Sequence, residues 1–298
     1  MSQSTAHGAA APDLRGPPEE AIATARLAIS HLSSLPVMDA RLLKIIGEPD
    51  AESQFERLGE LLHADPALAV RVLKVANSAF FSGGRAIDTI KRALEVLGTT
   101  AVTGIAVAAG LDGSTSQLGT EHLGYFEQLR KHSLVTAVAA RRLALRRPTP
   151  TWSHEAAFLL GLLHDLGWLI QLQIKSDSQV PSIGAPTALD GLARPPPPEA
   201  GHALLGAALF SQWGLPVEFS TTVLAHDRPI TEGATPGHRL LAVADRCAHF
   251  CTDALPEGAP VDPHELPLDE FYLTVESLPQ FASDMIREAQ LIGTLTGK

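Results

Sequence analysis

One stretch of the chain, Ala156–Trp168, constrains the fold and the function more than any other. It is an apolar run of helical length that ends in a histidine beside an aspartate, His164 and Asp165, followed by Gly167. Because glycine commonly ends a helix, we expect the pair to face a cavity. Neutral imidazole nitrogen and carboxylate oxygen are the usual ligands of divalent metal ions. A buried histidine satisfied by hydrogen bonds is the alternative, and the dipeptide alone does not decide between them.

The composition excludes several classes of function. The chain has 298 residues, of which 45% are hydrophobic, enough for one large domain or two closely packed ones. Its net charge of −10 argues against a general binder of nucleic acid or membrane surfaces. Only two cysteines occur, Cys247 and Cys251, so a reducing compartment without disulfides is indicated. With no signal peptide and no apolar span of membrane length, we expect a cytoplasmic protein without a membrane partner.

Apolar residues recur at intervals of three and four along almost the whole chain, as in Leu68, Val72 and Val75. This spacing predicts an all-α fold without sequence repeats. Late helices are predicted over 268–277 and 280–291. Residues 1–17 are rich in Ala, Pro and Gly and predict a disordered tail, and the proline-rich segment 175–198 predicts an irregular loop.

Four further polar side chains interrupt apolar helical stretches. They are His132, in a long helix predicted over about 118–147, and then His202, His226 and Asp245. Each would cost a few kcal/mol if buried without a partner. We therefore expect these groups to converge on each other or on an ion. The remaining histidines outside the Cys247–Cys251 segment are predicted to be surface or terminal residues: His7, His31, His63, His122, His154, His238 and His264.

The order His132, His164-Asp165, Asp245 resembles the H…HD…D signature of the HD superfamily of metal-dependent phosphohydrolases. More narrowly, the chain is similar to the HDOD (HD-related output domain) family of bacterial signalling proteins. That resemblance implies an N-terminal helical bundle at 18–115 packed against an HD-like helical subdomain at 116–250, with a C-terminal helical extension at 251–298. The segments that carry it are Leu35-Pro36, Asp65–Leu68, Leu73–Phe81, Ile90–Gly98, Gly161–Gly167, His202…Gly206 and Trp213–Pro216.

The same resemblance implies a metal site. His132, His164, Asp165 and Asp245 would hold one divalent ion, for which Fe, Mn, Mg and Zn are all candidates. The histidines of a second metal in the related HD-GYP phosphodiesterases correspond to His202 and His226.

Three departures from active relatives favour a non-catalytic role. Trp168 stands where active HD-GYP enzymes often have lysine, Gln128 stands in place of a glutamate, and no Gly-Tyr-Pro motif follows His226. The loss of a cation removes an electrostatic clamp for a phosphoryl group. The sequence thus favours a signal-transduction output module that binds a signalling protein or a nucleotide second messenger. The alternative is a metal-dependent phosphohydrolase or cyclic-dinucleotide phosphodiesterase.

Three other features have structural interpretations. The arginines between Arg141 and Arg147 are predicted to be solvated at the C-terminal end of a helix, where the helix dipole favours positive charge. They are not predicted to bind phosphate or nucleic acid. The Cys247–Cys251 pair around His249 is predicted to be core packing rather than a metal clip. Asn77 is predicted to end a helix and to shape the junction between the two subdomains.

Overall fold

The computed structural model describes residues 50–78, 80–81, 86–111, 120–168, 170–171, 201–249 and 262–296, together with the single positions 25, 42 and 45. The predicted tail 1–17 and the predicted loop 175–198 lie outside these residues. The described part contains helices and turns and no strand, so the all-α prediction is confirmed. None of its helices is both long and apolar enough to cross a membrane.

We number the helices α1–α9 in chain order. The bounds are α1 Ala51–Ala64, α2 Pro66–Ala76, α3 Ile90–Leu111, α4 Thr120–Arg146, α5 His154–Leu163, α6 His202–Gln212, α7 Val217–Ala225, α8 Pro236–His249 and α9 Leu278–Thr296.

Local sequence signals fix where several helices begin. The Asp50 carboxylate accepts from Ser53 N at 2.7 Å and starts α1. Asp65 accepts from Leu68 N at 2.9 Å and starts α2, with proline at the first helical position. Ser153 caps α5 through Ala156 N at 3.1 Å. These caps satisfy amide groups that a helix leaves unpaired, so they fix where each helix begins.

Helix α4 is the central element of the described structure. It packs along α5 and α8, and α3 joins this layer to α1 and α2 through contacts with α5. Its middle is buried from Ser133 to Ala140. Apart from its first turn, α5 is buried on every side, which is why its sequence is continuously apolar.

Asn77 ends α2 as predicted, but the hydrogen bonds of its side chain lie within the predicted N-terminal bundle, so its predicted place at the junction between the two subdomains is not confirmed. It follows α2, and its side-chain amide donates to Leu73 O at 2.9 Å and to Ile87 O at 2.5 Å. Its Oδ1 accepts from Ile87 N at 2.8 Å. Asn77 itself is right-handed helical rather than left-handed. The amide thus ties the end of α2 to the segment that leads into α3.

Two predictions about the C-terminal region are wrong. Residues 268–277 do not form an α-helix: short 3₁₀ turns lie at Pro263–Glu265 and Asp269–Phe271, and α9 begins at Leu278. The arginine run is also not simply solvated, because it binds this region. Its contacts there are Arg142 with Glu288 at 2.6 and 3.1 Å, Arg147 with Glu270 at 2.8 Å and Arg146 over the Phe281 ring at 4.6 Å. Arg141 instead lies over the ring of Phe80, shortly after α2, at 4.6 Å.

Candidate metal centre

Five helices and the residues that directly follow two of them bring all six predicted ligands into one cluster. His132 lies in the middle of α4, and His164 and Asp165 follow directly after α5. The other three come from separate helices: His202 begins α6, His226 follows α7 and Asp245 lies in α8. The predicted convergence of these residues is therefore what the structure contains. His132, His164 and Asp165 have no solvent exposure, and His202 is 5% exposed.

A close backbone contact sets the position of the His164-Asp165 pair. A Cβ built at Gly167 would lie 1.8 Å from the carbonyl oxygen of His202. Only glycine permits this approach, because any side chain would push the segment after α5 away from the start of α6. The prediction that Gly167 ends the helix is wrong, since α5 ends at Leu163 and Gly167 is itself helical. Gly167 instead allows the segment that carries His164 and Asp165 to lie against His202.

One group of donors forms around His132 and His164. His132 Nε2 lies 2.9 Å from Asp245 Oδ1 and 3.3 Å from Asp165 Oδ2. His164 Nε2 lies 3.1 Å from Asp165 Oδ2 and 3.4 Å from Asp245 Oδ1. The two imidazole nitrogens are 3.3 Å apart. We call these four residues the first donor group; they provide two imidazole nitrogens and two carboxylate oxygens.

A second group forms on the other oxygen of Asp165. His202 Nε2 lies 3.4 Å and His226 Nε2 lies 3.3 Å from Asp165 Oδ1. These two nitrogens are 3.2 Å apart, and each lies 3.3 Å from a carboxylate oxygen of Asp227. We call Asp165, His202, His226 and Asp227 the second donor group. Asp165 belongs to both groups, with one oxygen in each.

The spacing of these donors fits metal ions. Two ligands that each lie roughly 2.1 Å from one ion are roughly 3.0 Å apart at a right angle and roughly 3.4 Å apart at the tetrahedral angle. The distances within both donor groups fall in or close to this range. Among the described residues, neither oxygen of Asp165 accepts a hydrogen bond of good geometry, although four imidazole nitrogens lie nearby. The charge of a fully buried carboxylate has to be balanced by nearby positive charge. The donor atoms on both sides of Asp165 are therefore suited to bind cations.

Backbone carbonyls orient two of the imidazoles. His164 Nδ1 lies 2.8 Å from Gly161 O, and His226 Nδ1 lies 2.5 Å from Val223 O. A carbonyl only accepts, so Nδ1 carries the proton in both rings. In the neutral ring this leaves the Nε2 lone pair directed at the cluster, the tautomer that a metal ligand requires.

Without a metal ion, the electrostatics of the cluster favour charged groups. Burial alone would lower the pKa of His164, but Asp165 and Asp245 outweigh it and hold that pKa well above its usual value. Burial alone would also lower the pKa of His226, but the charges of Asp227 and Asp165 raise this pKa to about 9. The pKa values of the Asp165 and Asp245 carboxyls lie well below normal despite their burial, because imidazoles surround them. Protons and metal ions therefore compete for the same nitrogens.

Two residues near the cluster were missed by the sequence reasoning. Asp227 closes the second donor group, and a sequence signal existed, since His226-Asp227 repeats the His-Asp dipeptide. His249 lies with its Nε2 3.1 Å from Asp245 Oδ2, one helical turn further along α8. One expectation is also corrected: His238 is not a surface residue but is 5% exposed, and its Nε2 donates to Arg228 O at 3.1 Å.

Trp168 lies beside the second donor group. Its ring stacks on the His202 imidazole with centroids 4.4 Å apart and planes 16° apart, and the side chain is 6% exposed. The solvent side of the cluster is elsewhere, since the Asp245 and Asp227 side chains are 22% and 51% exposed. The indole thus covers one face of His202, and the partly exposed carboxylates lie toward solvent.

Comparisons with known proteins identify the family of the chain and proteins that share its fold. The HDOD domain family model matches residues 32–229. The chain is 28% identical over 221 residues to an uncharacterized protein of Treponema pallidum (strain Nichols), a match that covers 68% of this chain and 40% of that protein. An HDOD domain protein of unknown function from Geobacter sulfurreducens is 24% identical, with a TM-score of 0.58 and coverage of 91% and 89% of the two chains.

Two more solved structures share the fold. A Shewanella amazonensis SB2B protein named as a candidate phosphohydrolase is 20% identical, with a TM-score of 0.59 and coverage of 91% and 98% of the two chains. A Marinobacter aquaeolei VT8 protein named as a candidate signal transduction protein is 20% identical, with a TM-score of 0.60 and coverage of 95% and 67%.

Fold and site together define an all-α protein with a buried histidine–aspartate cluster of the HD type. The family match covers well over half of the chain. The chain belongs to the HDOD domain family. Asp245 and His249 lie beyond the matched residues 32–229, so the family match does not include α8.

Proposed function

We propose that this HDOD protein binds two divalent metal ions in the His–Asp cluster and hydrolyses a phosphoester there. The observation that carries the proposal is the shared carboxylate: Asp165 offers one oxygen to each donor group and has no solvent exposure. A carboxylate between two sets of imidazoles is the arrangement by which proteins hold a pair of ions. Bound ions would lower the pKa of a water molecule and polarise a phosphoryl oxygen.

The chain's own residues have separate parts in this proposal. Gly161 O and Val223 O fix the Nδ1–H tautomers of His164 and His226, so that both rings present Nε2. The exposed parts of Asp245 and Asp227 mark the side from which a phosphoester can reach the cluster. A site with mixed imidazole and carboxylate donors and an open side is typical of catalytic rather than structural metal centres.

A non-catalytic output module is the second candidate, and Trp168 favours it. Its apolar ring occupies the position at which a cationic side chain would help to bind a phosphoryl group, and the ring is stacked on His202. In this case the ions would stabilise the HD-like half, and the helical surfaces would bind a signalling protein or a nucleotide second messenger. The sequence favours this function, whereas the sharing of Asp165 between two donor groups favours hydrolysis.

Hydrolysis separates the two candidates. We would load the full chain with Mn²⁺, Fe²⁺ or Zn²⁺, remove excess metal and assay a panel of phosphomonoesters, phosphodiesters and cyclic dinucleotides. The hydrolase proposal expects turnover that a chelator abolishes and that His164→Ala removes. His264→Ala, which alters an exposed histidine far along the chain, is the matched control and should retain full activity.

The opposite results are equally definite. Protein that binds the metals but cleaves none of the substrates would contradict the hydrolase proposal and support the output module. Turnover that persists in His164→Ala would show that the activity does not come from this cluster.

A further inference from the structure

We propose that His249 is a positioning residue of the first donor group, which holds the Asp245 carboxylate so that one oxygen faces the metal. This inference rests on the metal centre of the proposed function. It concerns a residue that neither the family match nor the H…HD…D signature includes.

The two oxygens of Asp245 have different surroundings. Oδ1 lies 2.9 Å from His132 Nε2 and 3.4 Å from His164 Nε2, inside the first donor group. Oδ2 is hydrogen-bonded to His249 Nε2 at 3.1 Å. A carboxylate held in this way presents a single oxygen to an ion and cannot rotate to expose the other. A free aspartate side chain loses rotational freedom when it binds an ion. The hydrogen bond to His249 already restricts that rotation, so it lowers the entropic cost of metal binding.

The helix explains why His249 reaches this oxygen. Asp245 and His249 are four residues apart in α8, so their side chains lie on the same face one turn apart. His249 is the last residue of the helix, where a histidine is also favoured by the helix dipole.

His249 touches a second member of the same donor group. Its ring lies against the His132 ring, with centroids 5.2 Å apart and planes at 61°. One imidazole thus packs on one ligand of the first donor group while it hydrogen-bonds another. The second donor group, which lies on the far oxygen of Asp165, contains neither partner. An effect of His249 should therefore be confined to one of the two metal positions.

His249 could instead be a metal ligand, because His132, Asp245 and His249 themselves offer three donor atoms within 4.8 Å. The hydrogen bond favours positioning: the Nε2 that would bind an ion is directed at Oδ2 of Asp245. Its side chain is also 26% exposed, whereas the His132 and His164 side chains have no exposure.

Titration of the chelator-treated full chain with Co²⁺ tests the role, with visible absorption as the readout. We expect about two equivalents to bind to the wild type. His249→Ala should weaken one of the two steps by about 10- to 100-fold and leave the other unchanged. His249→Gln should restore binding to near the wild-type value, because the Gln amide can donate at the reach of Nε2. His249→Asn is too short and should not restore it, and His264→Ala is the control for loss of an imidazole.

Each other outcome overturns the proposal in a recognisable way. If His249→Ala binds both equivalents as tightly as the wild type, His249 has no positioning role although the metal centre stands. If His249→Ala weakens one step and His249→Gln does not recover it, with an altered Co²⁺ spectrum, His249 is itself a ligand. If the wild type binds no Co²⁺, the metal centre and this role fall together. Thermal unfolding of each metal-free variant identifies losses caused by misfolding, and the Gln–Asn comparison remains decisive there.

Discussion

At the residue scale, the defining feature of the cluster is a fully buried carboxylate. Asp165 has no solvent exposure, and its neighbours His132 and His164 have none either. Removing a carboxylate from water costs several kcal/mol unless positive charge lies beside it. In the metal-free protein that charge comes from protonated imidazoles, whose pKa values are raised by the same carboxylates. Metal ions would supply it without protons.

Because the metal-free cluster depends on protonated imidazoles, its thermal stability should depend on pH. The pKa of His226 is about 9 in the folded chain and near 6.5 when the chain is unfolded. A raised pKa stabilises the fold below the unfolded value and loses that contribution as the pH rises through the folded value. The Tm of chelator-treated protein should therefore fall between pH 6.5 and about 9. His164 acts in the same direction, because its pKa is also raised.

Calorimetry across this pH range, with and without metal, measures the effect. His226→Asn should flatten the curve of the metal-free protein. Metal-loaded protein should show a smaller dependence, because a metal-bound imidazole nitrogen carries no proton. A Tm of the metal-free wild type that stays constant or rises over this range would contradict the charge assignment.

At the element scale, the site depends on how closely α5 approaches α4. A Cβ built at Gly161 would lie 2.7 Å from Thr136 O and 2.8 Å from Ala137 Cα, both backbone atoms of α4. The same residue provides the carbonyl that orients His164. Gly161 therefore contributes both to the packing of α5 on α4 and to the orientation of His164. Because the atoms that it contacts belong to the backbone of α4, they cannot move aside without a large cost in free energy.

A pair of glycine substitutions tests this packing. Gly161→Ala should lower the free energy of unfolding by about 1–3 kcal/mol, as overpacked cores do, and should weaken metal binding. Gly124→Ala is the matched control, because Gly124 is an exposed glycine in α4 with open space around its Cβ position. There the same change should raise the free energy of unfolding by about 0.5–1 kcal/mol. Equal effects in urea denaturation would show that the α4–α5 contact is not tight.

The C-terminal segment is the second element that the structure explains. Glu270 accepts from Arg147 at 2.8 Å and also pairs with Arg239 of α8, so one carboxylate links the ends of α4 and α8. Helix α9 packs on α4, α2 and α8. Helix α9 therefore connects α2 with α4 and α8.

Glu270→Gln should destabilise the protein by about 1 kcal/mol, because it removes the charge that both arginines share. Asp269→Asn, at the exposed neighbouring position, should change the free energy of unfolding by less than about 0.5 kcal/mol. Urea denaturation at low and high salt measures both, and the Glu270 effect should shrink at high salt. A Glu270 effect no larger than the Asp269 effect would show that this ion-pair network does not hold the C-terminal segment.

At the scale of the whole molecule, the sequence predicted the fold class and the six clustered His and Asp residues but not all of their surroundings. The uniformly apolar α5 followed by His164-Asp165 indicated a buried helix with polar groups at its end, and the ordered motifs indicated the family. Position in sequence does not show which distant residues will meet. Arg142 and Glu288 are 146 residues apart, and Arg147 and Glu270 are 123 apart, so the arginines resembled a solvated helix end.

The surroundings of the ligands were hidden for a related reason. Asp227 is partly exposed, so no apolar context marked it as unusual. His249 was set aside together with the Cys247–Cys251 pair as core packing. His238 was predicted to be at the surface because its partner, the Arg228 carbonyl, belongs to a loop that the helical pattern does not place. Periodicity identifies a helix and its apolar face, whereas the pairing of polar groups depends on tertiary contacts.

The central claim is that Asp165 joins two metal positions, and metal stoichiometry tests it most directly. We expect about two equivalents of divalent metal per wild-type chain after saturation and removal of excess ion, measured by elemental analysis. His132→Ala and His202→Ala should each retain about one equivalent, whereas Asp165→Ala should lose both. Less than about a tenth of an equivalent in the wild type, or an Asp165→Ala protein that keeps both ions, would contradict the account.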